Sequence, residues 1–550
     1  MSQLNEDLHV SIRKKETSFL SQIVRLSWIV LSLSIVYQLI FFSSLTNIIA
    51  MAAVLFAWLL TTKIWLQANM LQTYLLSTFM ILGFTASQFY FPLLFTTIEN
   101  KPLIHNLEMP EEVFLHSTLC LMVLVLAHAA YRFLMKATPD RPFSILEKAG
   151  FFQPPANLQV WLMGLLGMAS SFYVHLANPE VGQGATGDPA AKFLQALALF
   201  MYAPFFIPLG KLYGSNEKPS KAFPLLILGY AVLLFILSIA QNSRGTFIFG
   251  LTTPAFAYVI GLLLGVFKTK LFTFRNFAVA GVLFWLLTGP FTDLGTAMLI
   301  VRDQRNDVSP TELLSLTIEA LDDKKAIEAR KNDDRSESLD FDWDERYLDN
   351  IFTARFANIK FNDSNLITYS KVGTHDPDMQ EFSVDQLLAA LPSPVLDMFN
   401  FDVDKETLHA LSFGDYLYVL SGGYGTPTGW RVGHVAGTGM ATFGWWYLLC
   451  LGLVVMPIFY LNDKFFRPRK DGISAVSQAP EDRFKFSLCG ALALTSFYQF
   501  LLFETVVQGV IYLMRGWIQI VVLYFVMFHV TRLVSIFFVR RKRQIGFSIN

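Results

Sequence analysis

Cysteine is nearly missing from this chain of 550 residues: Cys120, Cys450 and Cys489 each fall inside an apolar run, and there is no CxxC pair. That excludes a disulfide or zinc framework and leaves the redox compartment open. Charge is sparse as well, at 16% of residues against 53% hydrophobic, with a mean hydropathy of +0.44. An ordinary soluble domain is thereby excluded. No HExxH, P-loop or dinucleotide-binding fingerprint occurs, so nucleotide-driven chemistry inside the cell has no site to use. No small-residue cleavage site follows the first apolar run, which therefore reads as a retained anchor.

What the chain has instead is a series of apolar runs of roughly 18 to 25 residues, each able to cross about 30 Å of hydrocarbon as a helix. Twelve are expected, near 24–43, 46–64, 72–95, 113–134, 158–177, 193–212, 222–241, 245–267, 276–299, 438–460, 486–504 and 511–536. The expected fold is an all-α polytopic membrane protein of about 12 transmembrane helices, with one large, partly helical outer loop between spans 9 and 10. Its parts are an N-terminal segment 1–23, spans 1–9 over 24–301, the loop 302–437, spans 10–12 over 438–536, and a basic tail 537–550.

The zero formal net charge hides an asymmetry. Arg13 to Lys15, Lys63, the 136–148 loop, Lys218 with Lys221, Lys268 to Arg275, "KFFRPRK" at 464–470 and "RRKR" at 540–543 fall on one side when spans alternate. By the positive-inside rule that side is the cytoplasm, and both termini lie there. The opposite side receives the 302–437 loop, which holds about a dozen more acidic than basic residues. Within it "IEALDDKKAIEARKNDDRSESLDFDWDER" reads as a solvated helix followed by a flexible stretch, with calcium left possible by its acidity. Tyr347, Ile351, Phe352, Phe356 and Ile359 have near-helical spacing and predict a helix packed on the membrane domain, with Arg355 beside them. "FSVDQLLAALPSPVLDMF" reads as another helix, stopped at Pro392 and Pro394.

Charge beside lipid is costly, so Arg244 in "QNSRGTFIFG" invites a functional reading. A snorkelling stem, with Asn242 or Ser243 capping the next helix, is the plain alternative. The stretch 414–446, "GDYLYVLSGGYGTPTGWRVGHVAGTGMATFGWW", combines glycines with rings such as Tyr424 and Trp430, which offer flat faces for sugars, and with Arg431 and His434. Arg244, Arg302, Arg305, Arg431 and His434 all fall near the outer ends of spans seven to ten. Several guanidinium forks suit a pyrophosphate, and a neutral histidine suits acceptance of a proton from a sugar hydroxyl. Arg515 sits inside span twelve and is a candidate by its depth, with pairing to Glu504 as the structural alternative. His116, His128, His175 and His529 lack ligand spacing and read as packing residues, while His375 reads as an exposed loop residue.

Three stretches carry a resemblance: "NSRG" at 242–245, "ARFANIKFNDSNLI" in the loop, and "GHVAGTGMATFGWWYLL" at 433–449. In these, and in its span layout, the chain resembles the bacterial oligosaccharide repeat unit polymerases, the Wzy-type O-antigen polymerases, with the related O-antigen ligases. The family usually shows an acidic residue shortly before its "FG", where this chain has Gly437 and Gly439. The resemblance implies a glycosyltransferase of the bacterial inner membrane. It would move a growing glycan from undecaprenyl pyrophosphate to the terminal sugar of a lipid-linked repeat unit at the periplasmic face, without metal or other cofactor. It implies Arg244 at the pyrophosphate and His434 near the reaction centre as catalytic residues. Arg302, Arg305, Arg355, Arg431, Tyr424, Trp430 and Arg515 would be substrate contacts. The implied partners are the lipid-linked oligosaccharide, membrane lipids, a chain-length regulator and a flippase, with no nucleic acid. A ligase or protein O-oligosaccharyltransferase would use a similar site, a multi-span transporter is the rival of another class, and an accessory scaffold is a third reading.

Overall fold

The computed structural model describes residues 18–135, 145–177, 189–269, 273–301, 304, 308–336, 343–350, 352–423, 431–468, 483–500 and 504–547. Almost everything in it is helical, because a backbone in hydrocarbon has to satisfy its own polar groups. The chain opens with α1 (Ser18–Phe41), α2 (Leu45–Ile64), α3 (Leu75–Thr85), a π-turn at Ala86–Tyr90, α4 (Phe91–Ile98) and α5 (Pro110–Leu134). It continues with α6 (Asn157–Phe172), α7 (Pro189–Leu197), a 3₁₀ stretch Ala198–Tyr213, α8 (Phe223–Ala240), α9 (Arg244–Leu263), α10 (Phe274–Thr288) and α11 (Pro290–Ile300). The loop holds α12 (Pro310–Asp322), α13 (Lys324–Ser336), α14 (Ile359–Val372), α15 (Pro377–Ala389), α16 (Ser393–Met398), α17 (Lys405–Ala410) and α18 (Phe413–Leu420). Then come α19 (Val435–Phe443), α20 (Tyr447–Asp463), the paired strands β1 (Phe466–Pro468) and β2 (Phe484–Phe486), α21 (Leu488–Leu492), α22 (Leu494–Phe500), α23 (Val506–Ile511), a π-turn at Tyr512–Gly516 and α24 (Trp517–Phe547).

Among the described residues eight helical segments are long and apolar enough to cross a membrane. The other four expected runs are helical but shorter or broken. Run 276–299 divides at Gly289–Pro290, where Gly289 leaves the helix at φ −110° and ψ −100°. Proline lacks the amide hydrogen and pushes its predecessor out of helical geometry. Run 486–504 divides into α21 and α22, run 158–177 ends in a π-turn at Tyr173–Ala177, and α9 carries its apolar part over Ile248–Leu263.

At the end of α20 away from the loop, one polar chain fastens four segments. Asp463 accepts from the amides of Leu76 (2.9 Å) and Ser77 (3.0 Å), from the Ser77 hydroxyl (2.6 Å) and from Tyr131 (3.1 Å). Trp65 Nε1 donates to His128 Nδ1 at 3.2 Å, so the second imidazole nitrogen, 3.1 Å from Ser77 Oγ, is the one that carries hydrogen. Every donor therefore points toward the Asp463 carboxylate, which also covers the bare first amides of α3. His128 is thus a packing residue, as its sequence context implies. His116 is another, bonded to Tyr447 Oη at 2.7 Å and stacked on Trp445.

The loop departs from expectation in one place. Residues 343–350 are irregular, 352–356 form a turn and a 3₁₀ segment, and no helix begins before Ile359, although Tyr347 and Phe352 are buried. Side chains have taken the amides a helix would use: Glu99 accepts from Asp349 and Asn350, and Asn350 Oδ1 accepts from Phe352 and Thr353. Ile351 lies outside the described residues. Pro394 begins α16 instead of stopping a helix. The charged segment does form helices, α12 and α13, divided at Asp323, whose carboxylate caps α13.

The helix that carries the loop onto the bundle, α14, buries Lys360, Asn362, Asp363, Asn365 and Thr368. Lys360 Nζ meets Asp363 at 2.7 Å, and Asp363 accepts from the amides of Glu108 and Met109. Asn362 donates to Val113 O and to Ser117 Oγ on α5. The packing partners of α14 include α19 and α5.

Replacing Asp463 by asparagine puts an amide where four donors converge. Hydrogen bonds to charged groups are worth about 1.5–3 kcal/mol each, so a loss of roughly 2–4 kcal/mol is expected. A lowered unfolding midpoint of the detergent-solubilised protein is the readout. An unchanged midpoint would mean that the network contributes nothing to stability.

Candidate functional site

The glycine-rich stretch forms a knot at the loop end of the bundle. Ser412 and Asp415 build a capping box at the start of α18. Asp415 Oδ1 also accepts from the Arg431 amide (3.1 Å) and from Arg431 Nη1 (3.3 Å), while the guanidinium lies 3.9 Å from the Tyr418 ring centroid. Both Arg431 and Asp415 are buried, so this cation holds the loop onto itself. The chain then crosses α18 so closely that a Cβ at Gly414 would stand 2.4 Å from Arg431 O, and one at Gly433 would stand 2.7 Å from Glu504 Cβ. Glycine at these two positions is what brings 431–434, the start of α18 and Glu504 together.

His434 follows directly and caps α19, its Nδ1 accepting from the Ala436 amide at 3.3 Å. Burial holds its pKa down at about 3, helped by charge on His116, so the ring is neutral at working pH. Because Nδ1 is an acceptor, the hydrogen of the neutral ring sits on Nε2. Nε2 is buried and has no partner. His434 therefore presents a hydrogen-bond donor at Nε2. One turn on, a Cβ at Gly437 would lie 2.5 Å from Asn365 O and one at Gly439 2.8 Å from Tyr447 Cβ. No carboxylate fits at either position.

Helix α9 supplies a second feature. Asn242 has φ +47° and Ser243 is the N-cap residue, but Ser243 makes no side-chain cap; its Oγ accepts instead from Thr246 Oγ1. The Asn242 Nδ2 donor is buried without a partner. Arg244 is the first residue of α9, and its side chain lies outside the described residues. An uncapped helix start next to an unused amide donor is electropositive. Beside it a shallow apolar groove, with a cavity volume of only about 20 Å³, is lined by Phe235, Ser238, Ile239, Phe291, Leu294 and Phe352, among others. Ser238 ties the groove to the turn by donating to Ser243 O at 2.7 Å.

The turn lies beside the loop, since Phe352 lines the groove together with Ser238 and Ile239. Thr252 and Thr253 of α9 meet Thr495 of α22 at 3.2 and 2.6 Å. Arg244 lies eight residues, or roughly 12 Å, from Thr252 along α9. Arg302, Arg305, Tyr424 and Trp430 lie outside the described residues. Arg355 is exposed on the 3₁₀ turn Ala354–Phe356. Arg515 is half-buried in the π-turn of the last span, and it forms no ion pair with Glu504. His375 is exposed at φ +59°, its ring against Gly444, itself at φ +55°, where α19 ends. Asp415 was not anticipated as part of the site; the spacing Ser412-x-x-Asp415 was its one local signal. Among the described residues no three His, Cys, Asp or Glu side chains gather as a metal site. Protein-family models, curated proteins and solved structures give no match to this chain.

The cap makes a testable distinction. His434→Ala should lower stability by about 1 kcal/mol, and His434→Asn should restore it, since asparagine caps well. Equal midpoints for both variants in a thermal melt would show that the Nδ1 contact is not a cap.

Proposed function

We propose that this chain is a glycan polymerase of the bacterial inner membrane. It transfers a growing polysaccharide from undecaprenyl pyrophosphate to the terminal sugar of a lipid-linked repeat unit at the periplasmic face. In this reading twelve spans cross the membrane, both termini and the basic clusters are cytoplasmic, and the 302–437 segment is periplasmic. The observation that carries it is the turn at 241–244: an uncapped helix start, an unused Asn242 amide donor and Arg244, set against an apolar groove. A lipid pyrophosphate asks for that combination, donors for its phosphates and an apolar surface beside them for the start of its lipid tail. The amides of α9 and the Arg244 fork stabilise the charge that develops on the departing pyrophosphate. His434, a fixed neutral donor, positions a sugar or phosphate oxygen. The chain-length regulator, the flippase and substrate contacts at Arg302, Arg305, Arg355, Tyr424, Trp430 and Arg515 belong to this proposal, while Arg431, tied to Asp415, shapes the site instead of touching substrate.

Cells carrying Arg244→Ala at normal protein levels should lose the long glycan ladder and keep single repeats, a fall of about 10²-fold or more in polymer. Arg244→Lys should be nearly as damaging, because a point charge does not reproduce a planar fork. A wild-type ladder in the lysine variant would return Arg244 to the headgroups, and an unchanged ladder in both would favour transport over transfer.

A further inference from the structure

The reaction just proposed leaves one role unfilled. An attacking hydroxyl has to lose a proton, and His434 holds its only lone pair in the α19 cap. Three carboxylates surround the knot. Asp415 is saturated by the Ser412 amide and hydroxyl and by Arg431. Glu345 Oε1 accepts from Trp343 Nε1 at 3.0 Å and from the Val432 amide at 3.3 Å. Glu504 accepts only the Phe413 amide, at 3.2 Å, and has no ion pair among the described residues. It is partly exposed, and its backbone is locked by Thr438 Oγ1, which donates to Glu504 O one turn from His434.

We propose that Glu504 is the proton acceptor of the transfer, working beside the His434 donor. This rests on the polymerase reading. As the sugar hydroxyl oxygen bonds to the anomeric carbon, the bond from that carbon to the pyrophosphate oxygen breaks, and its electron pair leaves with the lipid pyrophosphate. The hydroxyl proton passes to a Glu504 carboxylate oxygen and later returns to water. A group with spare acceptor capacity, no counter-ion and partial exposure fits that task. The charged groups that act on it are Asp415 and Glu345; Arg431 is paired with Asp415, and His434 is linked to it only through Thr438, which bonds the backbone oxygens of both.

The test uses the full-length protein in lipid nanodiscs with a lipid-pyrophosphate-linked repeat unit, and follows the initial rate of polymer formation against pH. Glu504→Gln should lower the rate about 10²–10⁴-fold and abolish the acid limb of the wild-type profile, with substrate KM little changed. Glu504→Asp should keep part of the rate and the limb, which guards against a merely unfolded glutamine variant. A glutamine variant within twofold of wild type, or one that retains the same acid limb, would overturn the assignment while leaving the polymerase reading intact. No polymer from wild type itself would instead remove the reading on which the assignment rests.

Discussion

The close crossing of the chain at Gly433 is the contact on which the rest of the loop end depends. With no side chain at 414 or 433, the segment after Arg431 lies flat against the first turn of α18 and against Glu504. The Arg431–Asp415 pair then forms at short range, His434 arrives at the start of α19 with its Nδ1 on a backbone amide, and the Glu504 carboxylate is left with one hydrogen bond. A buried ion pair of this kind is weak evidence for stability, since desolvation offsets most of its attraction. Its use here is geometric: it fixes where the donor and the carboxylate stand.

The two ends of the bundle use polarity differently. At the Asp463 end, every donor and acceptor in the Trp65–His128–Ser77–Asp463 chain is matched, so that network is closed and rigid. At the loop end, donors remain on Asn242 and His434 and acceptors on Asn362 and Asn365, all buried and without partners. Unmatched buried polar atoms are uncommon and each costs about 1–3 kcal/mol. Others lie elsewhere, at Thr78, Arg132 and Tyr524, so the loop end is marked by where its unmatched groups stand, beside the Gly433 crossing and the α9 start.

Much of the membrane architecture was legible in the sequence because lipid imposes a simple demand, long apolar runs with internally satisfied backbones. The divisions were less so: Pro290 announces one, but nothing in 486–504 announces the gap between α21 and α22. The loop misled where side chains outcompeted helix formation, at Glu99 and Asn350, and where α14 buried residues that composition assigns to solvent. Arg431 and His434 were visible as an unusual pair beside glycines. The roles they take were not, because the Asp415 partner and the Ala436 cap are geometric facts with no composition signal. Glu504 approaches Gly433 from a different part of the chain, and only the fold joins them.

The account turns on whether a lipid pyrophosphate is consumed at this site. The most direct measurement is mass spectrometry of the products when the protein in nanodiscs is given one lipid-pyrophosphate-linked repeat unit and nothing else to react with. Glycans in whole multiples of the repeat, with one free polyprenyl pyrophosphate released for each linkage made, are the result the account predicts. An unaltered substrate, or substrate merely moved to the other leaflet, would contradict it.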